Sequence, residues 1–185
     1  MPLFKFLPIN ANPSSTSFTN REDFYQVLSA LVGEALNSVY LHPVTFKMVF
    51  KPLDLRDALD YIEDSDIEIE AGDGKLLRTY IAGVGYYTIF EDLRNVESIR
   101  FFSECERDCF KNSSMSVPDS DFSWTVENTD KYSDNEAITF GRIVEACYRL
   151  KSSKYDNGYE LFSGLNFSDT PKNRLEAEVC FGYGN

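Results

Sequence analysis

Apolar residues recur at helical spacing in two long stretches of the chain. Phe24, Val27, Leu28, Leu31, Val32 and Ala35 follow Thr19-x-x-Glu22. That motif is a capping box, in which hydroxyl and carboxylate each satisfy a backbone amide the helix leaves free, and the spacing predicts an amphipathic helix over 20–37. Ala137, Phe140, Ile143, Val144, Cys147 and Leu150 follow a second such box, Ser133-x-x-Glu136, and predict a helix over 135–151. Between them, Leu55, Ala58, Leu59 and Ile62 predict a short helix over 54–63 that turns Asp57, Asp60, Tyr61 and Asp64 to solvent.

Period-two patterns mark the strands. Val44, Phe46, Met48 and Phe50 alternate with Thr45, Lys47, Val49 and Lys51, and Leu175, Ala177, Val179 and Phe181 alternate with Glu176 and Glu178. Asp66-Ile-Glu-Ile-Glu70 and Leu76 to Ile81 flank Gly72-Asp-Gly74, a hairpin pattern. Weaker signals place strands at Gly83 to Phe90, Phe122 to Val126 and Tyr159 to Phe162, while 91–109 is ambiguous between helix and strand. Helices and strands do not alternate regularly, and no repeat or linker divides the chain. The expectation is an α+β fold: a single domain over 1–185, with a mainly antiparallel sheet packed against two longer helices and a short one. At 185 residues with 43% apolar content, such a domain has core enough to fold without disulfides or metal.

Charge changes this picture most. The chain carries 18 Lys and Arg against 30 Asp and Glu, a formal charge of −12. That field repels phosphate backbones and anionic headgroups, which argues against direct nucleic-acid binding and against a peripheral membrane role. No apolar run is long enough to span a bilayer, and residues 1–8 do not read as a signal peptide. With four cysteines, Cys105, Cys109, Cys147 and Cys180, the expectation is reduced thiols in a cytoplasmic protein.

Motifs for catalysis or cofactors are sparse. His42, the only histidine, stands beside Pro43 without a nucleophile elbow anywhere in the chain. Cys105-x-x-x-Cys109 has no partner pair at a zinc spacing. Asp119-x-Asp121-x-Ser123 begins like a calcium loop, but Trp124 occupies the glycine position. Gly72-Asp-Gly74 and Gly83-Val-Gly85 lack the remaining glycines and the lysine of a phosphate-binding loop. No metal or cofactor is therefore expected.

The acids are not spread evenly. Nine acids and one base, Arg56, lie between Asp54 and Asp73. Helical spacing aligns Asp57, Asp60 and Asp64, and strand alternation aligns Asp66, Glu68 and Glu70. Like charges at these spacings repel by a few tenths of a kcal/mol, so folding alone does not favour them. A second stretch, Asp119 to Glu136, sets six acids and Lys131 around Trp124. The candidate partner-binding residues are Asp57, Asp60, Asp64, Asp66, Glu68, Glu70, Asp119, Asp121 and Trp124, facing a basic protein partner.

In size, acidity and lack of catalytic motifs the whole chain resembles the cytosolic immunity proteins of bacterial toxin–immunity pairs. The resemblance implies a non-enzymatic inhibitor that covers the basic cleft of a cytotoxic, nuclease-type toxin domain. The alternatives are a small enzyme using carboxylates or His42 for acid/base chemistry, and a subunit of a larger assembly.

Overall fold

The computed structural model describes residues 21–63, 81–103, 123–128, 137–152 and 161–182. In chain order the elements are α1 (Arg21–Leu36), β1 (Val39–Leu41), β2 (Met48–Phe50), α2 (Arg56–Glu63), a 3-10 turn (Glu91–Leu93), β3 (Ser98–Phe102), β4 (Ser123–Glu127), α3 (Phe140–Ser152), β5 (Leu161–Thr170) and β6 (Arg174–Gly182). The arrangement is α+β, with a two-stranded ribbon β1-β2 and a four-stranded sheet in the order β4-β3-β6-β5. Every pairing is antiparallel except the central one, β3 with β6, which is parallel.

One core joins the layers. Ile99, Phe101, Val126, Leu175, Ala177 and Val179 lie on the helix-covered face of the sheet and are buried with Phe24, Leu28, Leu31, Phe140, Ile143 and Val144 of α1 and α3. Phe90 bridges the two helices: its ring meets Phe24 edge-on at 5.5 Å between centroids and Phe140 at 5.9 Å. Such pairs add to area burial because each ring edge meets the negative face of its neighbour. The other face of the sheet is polar, with Arg100 bonded to Glu176 at 3.5 Å and lying over Phe102.

Several elements depart from the pattern reading. α3 begins at Phe140 rather than near 135, because Thr139 caps it: the Thr139 hydroxyl accepts the Arg142 amide at 3.3 Å. Val44 and Phe46 are not strand residues facing a core. They lie in a turn between β1 and β2, 76% and 77% exposed, with Phe46 in the left-handed region at φ 54°. Residues 83–90 form turns in place of a strand, and the ambiguous 92–102 divides into the 3-10 turn and β3. β5 is ten residues long where a short strand ending at Phe162 is expected, and Pro171 to Asn173 form the turn into β6. The predicted hairpin, Asp66 to Glu70 with Leu76 to Ile81, lies outside the described residues except for Ile81, which is buried and helical, and both predicted capping hydroxyls, Thr19 and Ser133, lie outside them too.

α1 sits close against β5 because its facing residues are small. A Cβ on Gly33 would stand 3.3 Å from the Phe162 ring, and the Ser29 hydroxyl accepts the Leu165 amide at 2.9 Å. Tyr25 stacks on Phe167 at 4.4 Å further along the same strand. α2 packs on the far side of α1 through Ala58 and Ile62, both buried. These contacts leave a groove between α1, α2 and β5.

Candidate functional site: an acidic groove beside the sheet edge

The groove has a volume of about 800 Å³ and is walled by α1 from Glu22 to Asn37, by Asp57, Ala58 and Tyr61 of α2, and by Leu161 to Phe167 of β5. Amphipathic α1 points its apolar stripe at the core, so Glu22 and Gln26 stay exposed on the side that lines the groove, with Glu34 half-buried. The apolar stripe of α2 (Leu55, Ala58, Ile62) likewise turns Asp57, Asp60 and Tyr61 outward, as the helical spacing predicts.

Electrostatics distinguish this part of the surface. Burial raises the Glu34 carboxyl above the ordinary glutamate value, and the neighbouring charges of Asp57 and Asp54 raise it further. The guanidinium of Arg56 is engaged by Asp54 at 2.7 Å, with both groups exposed to solvent. Glu34, Asp57 and Asp60 form no ion pair among the described residues. Lys151, from the end of α3, is the one base in the groove lining. Elsewhere five of the described acids are crossed with arginines: Asp169 with Arg21, Glu91 with Arg94, Glu176 with Arg100, Glu145 with Arg149 and Glu97 with Arg174.

Apolar and aromatic groups accompany the acids. Tyr61 is 69% exposed and Leu161 56%. Tyr25 lines the groove with a buried hydroxyl that faces the Asp169 carboxylate. Its pKa is pushed up to about 12, chiefly by burial, with Arg21 opposing and Asp169 and Glu22 adding to the rise.

Of the sequence-predicted binding residues, Asp57 and Asp60 stand together on α2, and Asp57 reaches the groove. Asp64, Asp66, Glu68, Glu70, Asp119 and Asp121 lie outside the described residues. Trp124 is on β4, at the opposite edge of the sheet from β5, and Arg149 of α3 lies over its ring at 4.6 Å. That guanidinium is in turn held by Glu145 at 2.9 Å, so Trp124 is packed into a stack of its own and is not beside the α2 acids. Sequence reading missed Glu34, Tyr25 and Lys151, whose role depends on α1 meeting α2 and β5.

No protein-family model matches this chain, and neither does any curated protein or solved structure. Function must therefore be argued from chemistry. His42 offers little to acid/base catalysis: its Nδ1 accepts the amides of Val44 and Thr45 at 3.2 and 3.1 Å and so holds the turn after β1. Cys147 is fully buried in α3, and burial raises its thiol well above the usual range, which disfavours the reactive thiolate. Among the described residues no group of acids, histidines and cysteines has the geometry of a metal site, and no helix is long and apolar enough to cross a membrane.

Proposed function

We propose that this chain is an acidic binding protein that covers a basic surface of a protein partner, in the manner of an immunity protein seated on a cytotoxic, nuclease-type toxin domain in the cytoplasm. The observation that carries this reading is the crowding of carboxylates at Glu34. Asp57 and Asp54 stand close enough to raise its half-buried carboxyl further, and the nearby base, Arg56, is held by Asp54. Crowding of this kind costs the free protein a few tenths of a kcal/mol per pair, and a cationic partner converts that cost into attraction. A net charge of −12 adds long-range steering of a basic partner. Exposed Tyr61 and Leu161 beside the acids supply the apolar contact that such interfaces place at their centre.

The test places a photo-crosslinking phenylalanine analogue at Tyr61 and irradiates the source cells. The expected product is a basic protein whose activity the purified chain inhibits at equimolar concentration. Combined Asp57→Lys and Asp60→Lys abolish the cross-link and the inhibition at moderate salt. A cross-link yield that the double charge reversal leaves unchanged, at both low and moderate salt, refutes the reading.

A further inference from the structure

The turn between β1 and β2 holds apolar side chains away from the core. Val44 and Phe46 stand almost free in solvent, and Tyr40 of β1 is exposed as well. The backbone around them is tied down. The Phe46 amide donates to the His42 carbonyl and the His42 amide to the Lys47 carbonyl, both at 2.9 Å, while the Val44 and Thr45 amides converge on His42 Nδ1. Phe46 takes the left-handed region at φ 54°, which glycine or asparagine occupies at much lower steric cost. A bulky ring fixed in a costly conformation and aimed at water does nothing for the chain's own core. Exposed apolar groups of this kind mark a contact with another molecule.

Charge says what that molecule offers. Between Val39 and Leu53 the chain has two lysines, Lys47 and Lys51, and no acid, although its net charge is −12. Neither lysine forms an ion pair among the described residues, and Lys51 lies over the Tyr40 ring at 5.1 Å. The β1-β2 ribbon is thus an apolar, cationic knob on an acidic protein. Its complement is an acidic surface with exposed apolar groups, and the groove has that character. Asp57 raises the Glu34 carboxyl there, and Tyr61 and Leu161 are exposed on the lining.

Knob and groove are also close in the chain. Leu36 and Asn37 line the groove immediately before β1 begins, and Asp57 lines it shortly after β2 ends. A second copy turned about a two-fold axis can therefore offer its groove to this knob and place its own knob in return, the self-complementary arrangement of a closed dimer. Repulsion between two acidic copies is screened beyond about 8 Å at physiological salt, so the local pairing of lysines with carboxylates decides the contact.

We propose that two copies of this chain pair reciprocally, each seating the Val44–Phe46 turn in the other's groove with Lys47 against Glu34 and Asp57. The inference rests on the groove being a docking site and adds a second copy as its occupant in the absence of a basic partner.

The experiment follows the mass of the full chain by sedimentation at physiological salt, from about 1 μM to about 1 mM, the range expected of a small reversible contact. The mass should rise from one chain to two. Phe46→Gly removes the ring and suits the left-handed backbone. It should weaken pairing by roughly tenfold or more while leaving the urea midpoint equal or higher, which separates a lost contact from a lost fold. Lys47→Glu and Asp57→Lys should each weaken pairing by roughly tenfold or more, and an equimolar mixture of the two variants should restore it, because each then meets the opposite charge. A mass of one chain throughout overturns the proposal, as does a mass that climbs past two chains. Pairing that Phe46→Gly abolishes and Asp57→Lys leaves intact means that the knobs pack on each other, and the mixture's failure to re-pair places the contact elsewhere; both overturn it. A monomer that binds phosphatidylglycerol vesicles through Phe46 identifies a bilayer as the occupant and overturns it too. If the monomeric chain still cross-links a basic protein at Tyr61, only the pairing falls and the docking reading stands.

Discussion

Replacing Gly141 by alanine tests the packing on which the whole arrangement depends. The Gly141 amide donates to the Tyr86 carbonyl at 2.6 Å, and the Phe140 amide to the Thr88 carbonyl at 2.8 Å, so the first turn of α3 is bolted to the 85–88 turn. A Cβ at Gly141 would stand 2.8 Å from the Tyr86 carbonyl oxygen and 3.1 Å from its Cβ, both fixed to the backbone. Tyr86 has little room to retreat. Its hydroxyl donates to the Lys51 carbonyl at 2.7 Å, and its ring meets Phe50 edge-on at 4.9 Å. Overpacking against backbone costs about 1–3 kcal/mol, and the loosened hydrogen bonds cost about 1 kcal/mol more. Better helix propensity of alanine returns about 1 kcal/mol. The net expectation is a loss of about 2 kcal/mol, which for a urea slope of about 2 kcal/mol per molar lowers the unfolding midpoint by about 1 M. Gly85→Ala is the control: a Cβ there meets nothing within 4 Å, and the residue is not in the left-handed region. It should leave the midpoint unchanged or raise it slightly by restricting the unfolded chain. Equal midpoints for Gly141→Ala and the parent protein, or equal losses in the two variants, would refute the geometry.

Two further outcomes are expected. Glu34→Gln should stabilise the free protein at neutral pH by roughly 0.3–0.5 kcal/mol. The Glu34 carboxyl is raised in the folded state, so its contribution to stability is full below the ordinary glutamate value and is lost as pH rises through its folded value; the advantage of glutamine should therefore vanish in urea titrations near pH 4, and a pH-independent advantage would contradict the assignment. His42→Ala should cost about 1 kcal/mol by freeing the amides of Val44 and Thr45, with His42→Asn recovering part of it; a midpoint insensitive to both substitutions would mean that the ring does not hold the turn.

Elements whose burial is one-sided were the legible ones. α1 and β6 follow their spacing closely, because each faces a single core and every buried position repeats at the element's own period. β5 was not legible beyond its first residues. Ser163, Gly164, Asn166 and Ser168 carry little strand propensity, and a register shift between Phe162 and Gly164 breaks the alternation. Long-range pairing with β6 overrides local preference there. The turn between β1 and β2 failed for the opposite reason: Val44 and Phe46 have the right residue types for a strand but no core to face. In the candidate site, Asp57 and Asp60 were visible because they share a helix face. Glu34 was not, since only the packing of α1 on α2 brings it to Asp57 and Asp54.

Two simpler explanations of the α2 acids compete with docking, and both meet difficulties in this fold. Acids that guard a sheet edge belong on the edge strand, yet Asp57 and Asp60 are on a helix, and the outer side of β5 is covered by α1. Acids kept only for solubility have no reason to gather, and gathering them around a half-buried carboxyl works against folding. A docking site requires that concentration. It also requires stability and binding to respond in opposite directions: substitutions that relieve the crowding at Glu34 and Asp57 make the free protein more stable and the complex weaker. A merely solvated surface would gain the stability and lose nothing, and that difference in sign separates the explanations once the cross-linked partner is in hand.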